Sequence, residues 1–245
     1  MAIRKATLGT RWASATDVAE SLRQARNNRQ AQRRLLDELE GKVERRRGEI
    51  RRSLSDLPTS QQNSVVSRAA SGFHGEMRKL SADPRTDHVR KAAGYAEYAT
   101  AVQTHYRSPG QMLARYSLGS ERRSRIIQQI ATSGPAELAS LAELAAATKD
   151  FDLAAALCSR AYEIAPEKRS FSPQELADVL VGEEFRTVTQ SLMEIDRLAL
   201  EVRHDDSAFE SGRPSNEQAV AIALMRRAEA QVGGDLEEPQ QETEN

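Results

Sequence analysis

Cysteine, aromatic residues and long apolar runs are all scarce in this chain of 245 residues. The single cysteine, Cys158, excludes an internal disulfide. Phe, Trp and Tyr together make 4% of the sequence and hydrophobic residues 39%, with a mean hydropathy of -0.63. Burial must therefore come largely from alanine and leucine, which favours close-packed helices over sheets. No segment approaches the roughly 18 consecutive apolar residues of a membrane span. The start, Met1-Ala2-Ile3-Arg4-Lys5, has no apolar core of a secretory signal, so a cytoplasmic location is expected.

Chemical motifs are missing as well. There is no G-x-G-x-x-G and no G-x-x-x-x-G-K-[ST], so no backbone cradle for a nucleotide phosphate is expected. His74, His88, His105 and His204 are scattered, and none sits in a metal-ligand spacing. There is no G-x-S-x-G, and Cys158 falls on the inner face of a helical hairpin with no histidine near it in sequence. A buried thiol is the expected role. No catalytic, cofactor-binding or metal-binding residue is nominated, no small-molecule substrate is implied, and a non-enzyme is expected.

What the chain does have is a stretch from Thr16 to Leu57 with no proline and two glycines. Every seventh residue from Leu22 reads Leu22, Arg29, Leu36, Val43, Ile50, Leu57. The intervening column reads Val18, Ala25, Gln32, Leu39, Arg46, Ser53. This is an a/d seam of period 3.5 on a helix roughly 60 Å long at about 1.5 Å per residue. Such a helix must lie along others, of its own chain or of another, and Leu22, Leu36, Leu39, Val43, Ile50 and Leu57 are its expected helix-interface residues. Arg33, Arg34, Arg45, Arg46, Arg47, Arg51 and Arg52 cluster on the remaining surface and are the expected phosphate contacts, if the helix meets nucleic acid. Asp37, Glu38, Glu40, Glu44 and Glu49 interleave with them, a pattern typical of a solvated coiled-coil surface.

Charge is strongly segregated. Residues 1–134 carry 25 Lys and Arg against 13 Asp and Glu, and residues 135–245 carry 10 against 23. Either the halves attract each other, within a chain or head to tail between chains, or the basic half meets nucleic acid.

Helix punctuation divides the chain into an arm over 1–15, a basic helical bundle over 16–134, an acidic helical domain over 135–232 and an acidic tail over 233–245. Trp12, the sole tryptophan, lies on the arm as a candidate partner anchor. Leu57-Pro58 should stop the long helix, with Thr59 or Ser60 capping the next and Asp83-Pro84 restarting a third. Ser133-Gly134-Pro135 marks both a helix break and the change of charge. Further on, Gly182 is expected to separate two helices, and His204-Asp205-Asp206 to open a polar loop.

Lys149-Asp150-Phe151-Asp152, followed by Ala154, Cys158, Ala161 and Pro166, resembles the second helix of a tetratricopeptide repeat. Leu138, Leu141, Ala142 and Ala145 stand at that family's offsets upstream, with its aromatics replaced by leucine or alanine. The resemblance spans one repeat, about 133–166, and implies an αα-hairpin whose small residues let the helices touch. A stable array needs about three repeats, so no concave peptide groove is implied.

These readings converge on an all-α fold, with a long amphipathic N-terminal helix in a hairpin or bundle followed by a smaller helical domain. The expected function is a non-catalytic assembly or scaffold protein, a component of a phage particle or other large complex, that pairs with itself or another helical protein through the long helix. The alternative is a nucleic-acid-associated protein. A third option is an adaptor using the 136–166 hairpin.

Overall fold

Ser14 starts the first helix with a reciprocal cap. Its hydroxyl accepts from the Asp17 amide at 3.2 Å, and the Asp17 carboxylate accepts from the Ser14 amide at 3.0 Å. Two donors that a helix start would leave over are thereby met. The computed structural model describes residues 13–212 and 215–234. Trp12, the arm before Ala13 and the tail from Asp235 lie outside the described residues.

Among the described residues nine helices follow one another: α1 (Ala15–Ser53), α2 (Thr59–Leu80), α3 (Ala82–Gln103), α4 (Pro109–Ala114), α5 (Glu121–Ile130), α6 (Pro135–Thr148), α7 (Phe151–Glu163), α8 (Pro173–Ser211) and α9 (Asn216–Gly234). A 3₁₀ turn at Pro166–Lys168 precedes α8. No strand occurs among the described residues, and the fold is all-α. Side-chain caps set several starts: Ser108, Ser120, Asp150, Ser172 and Ser215 each accept from the amide three residues on.

Four expectations about helix ends need correction. α2 has Pro58 at its cap position and no side-chain cap, in place of Thr59 or Ser60. The third helix restarts at Ala82, two residues before Pro84, with buried Ser81 as the joint. Gly182 interrupts nothing: α8 runs unbroken from Pro173 to Ser211. His204-Asp205-Asp206 therefore lies on that helix and not in a loop. Tertiary partners, described below, hold these polar residues helical where local preference alone reads loop.

The chain folds into two compact units, each drawn from separated stretches. One takes residues 13–19, Thr100–Leu192 and residues 232–234. Its centre is α7, whose Ala154, Ala155, Ala156, Leu157, Cys158 and Ala161 are all buried, with α4, α5 and α6 packed against it. Alanine on α7 permits the close approach of three neighbours at once. Gly110 is needed for the same reason, since a Cβ there would run into the Tyr162 ring and hydroxyl.

The other unit takes Glu20–Ala99 and Met193–Gln231. Leu36 and Leu39 of α1 meet Phe209 of α8, with Leu35 and Met77 alongside. Ala92 of α3 meets Ala199 and Val202 of α8. Residues 133–135, where the charge changes sign, fall inside Thr100–Leu192. Compaction and charge thus divide the chain differently.

Candidate interaction surface

The seam of α1 is buried up to Leu39 and opens beyond it. Val18, Leu22, Ala25, Gln32, Leu36 and Leu39 are buried, whereas Val43 and Ile50 are half-buried and Leu57 is 39% exposed. Its partner from Gln32 to Leu39 is the chain's own α8. Besides the Leu36–Leu39–Phe209 cluster, the buried Gln32 amide donates to the Val202 carbonyl at 2.7 Å. Of the six interface residues expected from the heptads, Leu22, Leu36 and Leu39 are buried within the protein, Val43 and Ile50 are covered only in part, and Leu57 falls beyond the end of α1 at Ser53.

Two polar residues sit in the seam up to Leu39, Arg29 and Gln32. Arg29 is the entry to an ion network on the face of α8. Its guanidinium reaches Glu201 at 3.2 Å and Asp205 at 2.6 Å, with side-chain exposures of 12% for Arg29 and 9% for Glu201. Glu201 also accepts from Arg197 at 2.7 Å and from Arg226 of α9 at 2.8 Å. Arg197 donates to Glu229 at 2.8 Å, and Arg26 pairs with Glu194 at 2.6 Å. One turn further along, Arg85 of α3, itself buried, holds Asp206 at 2.7 Å and Glu210 at 2.6 Å and lies over the Phe209 ring.

Burial on its own would raise the Glu201 carboxyl. The hydrogen bonds from Arg226, Arg197 and Arg29 outweigh that and hold it below its ordinary value. Burial likewise opposes the charge on Arg197, and its bonds to Glu229 and Glu201 prevail and raise it. His88, whose Nδ1 lies 2.8 Å from the Asn28 side-chain oxygen, is lowered by burial and by Lys91 against the pull of Asp87.

Sequence reasoning missed this network, although a signal was present. Glu194, Glu201 and Asp205 stand seven and then four residues apart, one stripe of a helix, and Arg26, Arg29 and Arg33 form a matching stripe on α1. Breaking the helix at His204 hid the first stripe.

Beyond Leu39, α1 carries charge on its exposed positions. Arg46 pairs with Glu49 and Arg47 with Glu44, each at 3.2 Å within the helix, and Arg52 donates to the Gly48 carbonyl. Such exposed pairs contribute little to stability. Arg33, Arg34, Arg45 and Arg51 are exposed and have no ion pair among the described residues. The charges fall into two blocks. Residues 37–44 hold four acids and one lysine, and residues 45–52 hold five arginines and one acid. Facing them, α2 buries only Val66, while Val65 is 45% exposed.

The α7 unit offers less. Arg122 pairs with Asp150 and, at 3.5 Å, with Asp152. Arg123, buried and without a carboxylate partner, donates to the carbonyls of Tyr116 and Ala114 and to Ser159 Oγ. Burial lowers its pKa against a smaller opposing pull from Asp152. Cys158 is buried, and desolvation pushes its thiol up to about 12, so it stays protonated near neutrality. Among the described residues no cluster of three or more His, Cys, Asp or Glu is placed to hold a metal, and no helix is long and apolar enough to cross a membrane. Compared with protein-family models, curated proteins and solved structures, the chain matches none.

Proposed function

We propose that this is a non-catalytic assembly protein of the cytoplasm that pairs with a second copy through the distal half of α1. The observation that carries the reading is the polarity of that half: an acidic block at 37–44 followed by a basic block at 45–52. Two such helices laid antiparallel set each acidic block against the other's basic block, which is the self-complementarity that a twofold interface requires. Val43, Ile50 and Leu54, half-buried in one chain, supply the apolar contact, and the charges set orientation and register more than strength. In this reading the α6–α7 pair is a single tetratricopeptide-like hairpin that serves packing rather than peptide capture, because α7 already has α4, α5 and α6 upon it.

Light-scattering mass on a sizing column, in low and high salt, tests the proposal. A mass of twice 27.1 kDa is expected. It should fall to that of one chain on Arg45→Glu, Arg46→Glu and Arg47→Glu together. It should return when Asp37, Glu38 and Glu40 are also changed to lysine. A single-chain mass at every salt concentration sinks the reading. A second reading, nucleic-acid binding, is favoured by the unpaired Arg33, Arg34, Arg45 and Arg51. It predicts a single chain that carries absorbance at 260 nm in low salt and sheds it in high salt.

A further inference from the structure

The groove between α1 and α2 has the wrong chemistry for a helix–helix seam. Ser67, Ser71, His74 and Arg78 stand at i, i+4, i+7 and i+11, a single stripe along α2. A stripe turned toward a neighbouring helix is ordinarily apolar. Here, with Ala70 beside it, it lines an open cavity of about 420 Å³ whose other lining residues are Val43, Glu44 and Arg47 of α1, Ser211 of α8 and Gly212 just after it. That volume lies within the roughly 300–1,000 Å³ of small-ligand clefts.

We infer that this groove binds a phosphate-type oxyanion. Two guanidiniums face one carboxylate across it, and Glu44 is already held by Arg47 at 3.2 Å. Arg78 is anchored by donating to the Glu210 carbonyl, yet its Nε is buried with no partner among the described residues. An unmet buried donor is costly, and an anionic oxygen in the groove relieves it. His74 is positioned by its ring contact with Phe209, centroids 4.8 Å apart. The two serine hydroxyls complete a set of donors more numerous than a carboxylate's two oxygens use, which favours a tetrahedral anion. The same chemistry is presented by free phosphate and by a small phosphomonoester. The inference does not depend on the pairing proposed above, although the two share Val43 and Arg47 of α1, so binding and mass are read separately.

Isothermal titration of the full chain at constant ionic strength, with potassium phosphate, glycerol 3-phosphate and potassium chloride, tests it. Saturable one-to-one binding of at least one phosphate ligand is expected, with none for chloride. Ser71→Leu, which fills the groove, and Arg47→Gln should each weaken binding about tenfold or more, the worth of one charge-assisted hydrogen bond. Circular dichroism should stay as in the parent for both variants, and light-scattering mass for Ser71→Leu. Tighter binding of glycerol 3-phosphate assigns the groove to esters, and tighter binding of inorganic phosphate to the free ion. Absence of saturable binding, or binding undiminished in Arg47→Gln, overturns the inference. Arg47 is exposed, so that variant decides alone if Ser71→Leu fails to fold. A dimer without phosphate binding refutes the groove only, and phosphate binding by a single chain refutes the pairing only.

Discussion

Glu201→Gln removes one negative charge from a place where three arginines converge, while keeping the shape of the side chain and one acceptor oxygen. Removing one partner of a buried ion pair costs roughly 3–5 kcal/mol. Each arginine here retains a recourse: Arg29 keeps Asp205 at 2.6 Å, Arg197 keeps Glu229 at 2.8 Å, and Arg226 is 64% exposed and returns to water. The loss should therefore sit at the lower end, about 3 kcal/mol near pH 7. With a urea slope of about 2 kcal/mol/M this lowers the denaturation midpoint by roughly 1.5 M, readable by far-ultraviolet circular dichroism. The pH dependence supplies an independent check. The folded carboxyl lies below its ordinary 4.5, because the arginine hydrogen bonds exceed the burial that would raise it. Its stabilisation is complete above the unfolded pKa and is lost as pH falls through the folded one. The gap between parent and variant should thus narrow below about pH 4.5. A variant within about 0.5 kcal/mol of the parent at neutral pH, or a gap that persists unchanged into acid, refutes the claim that the network stabilises the fold through this charge.

Three further outcomes are expected. Leu36→Ala should cost about 2–4 kcal/mol in denaturant midpoint, and Ile50→Ala about 1 kcal/mol or less in a single chain, because only the first is buried; equal costs would contradict the division of the seam. Gly110→Ala should destabilise by about 1–3 kcal/mol through its clash with Tyr162, and a Gly110→Ala/Tyr162→Ala pair should lose less than the two singles summed. Cys158 should resist a thiol reagent in the native protein and react once denaturant is added; rapid native labelling would show that the α7 core opens readily.

The helical class and most helix starts were legible in the sequence because they rest on local chemistry. The serine and aspartate caps, Pro135 at a first turn and the heptad column of α1 each act over a few residues. What the heptads could not carry was the identity of the partner: a seam of Leu36 and Leu39 packs as well on α8 as on another chain. The charged half of the answer failed for a similar reason. Asp205 and Asp206 read as loop because their preference is weighed alone, whereas Arg29 and Arg85, far away in sequence, hold them in a helix. The groove on α2 was hidden in plain spacing, since its stripe of Ser67, Ser71, His74 and Arg78 carries no apolar signal to draw attention to it.

The distance along the chain between Arg29 and Glu201, 172 residues, has a consequence for biosynthesis. At about 5–20 residues per second the ribosome makes α1 roughly 9–34 s before the acids that receive it. Until then, its arginines and the apolar seam from Leu36 to Leu39 are on offer to whatever else the nascent chain meets. Any truncation after α3 leaves them so permanently. Locally connected α4 to α7 can close as they emerge, so α1, made before them, finds its place after them.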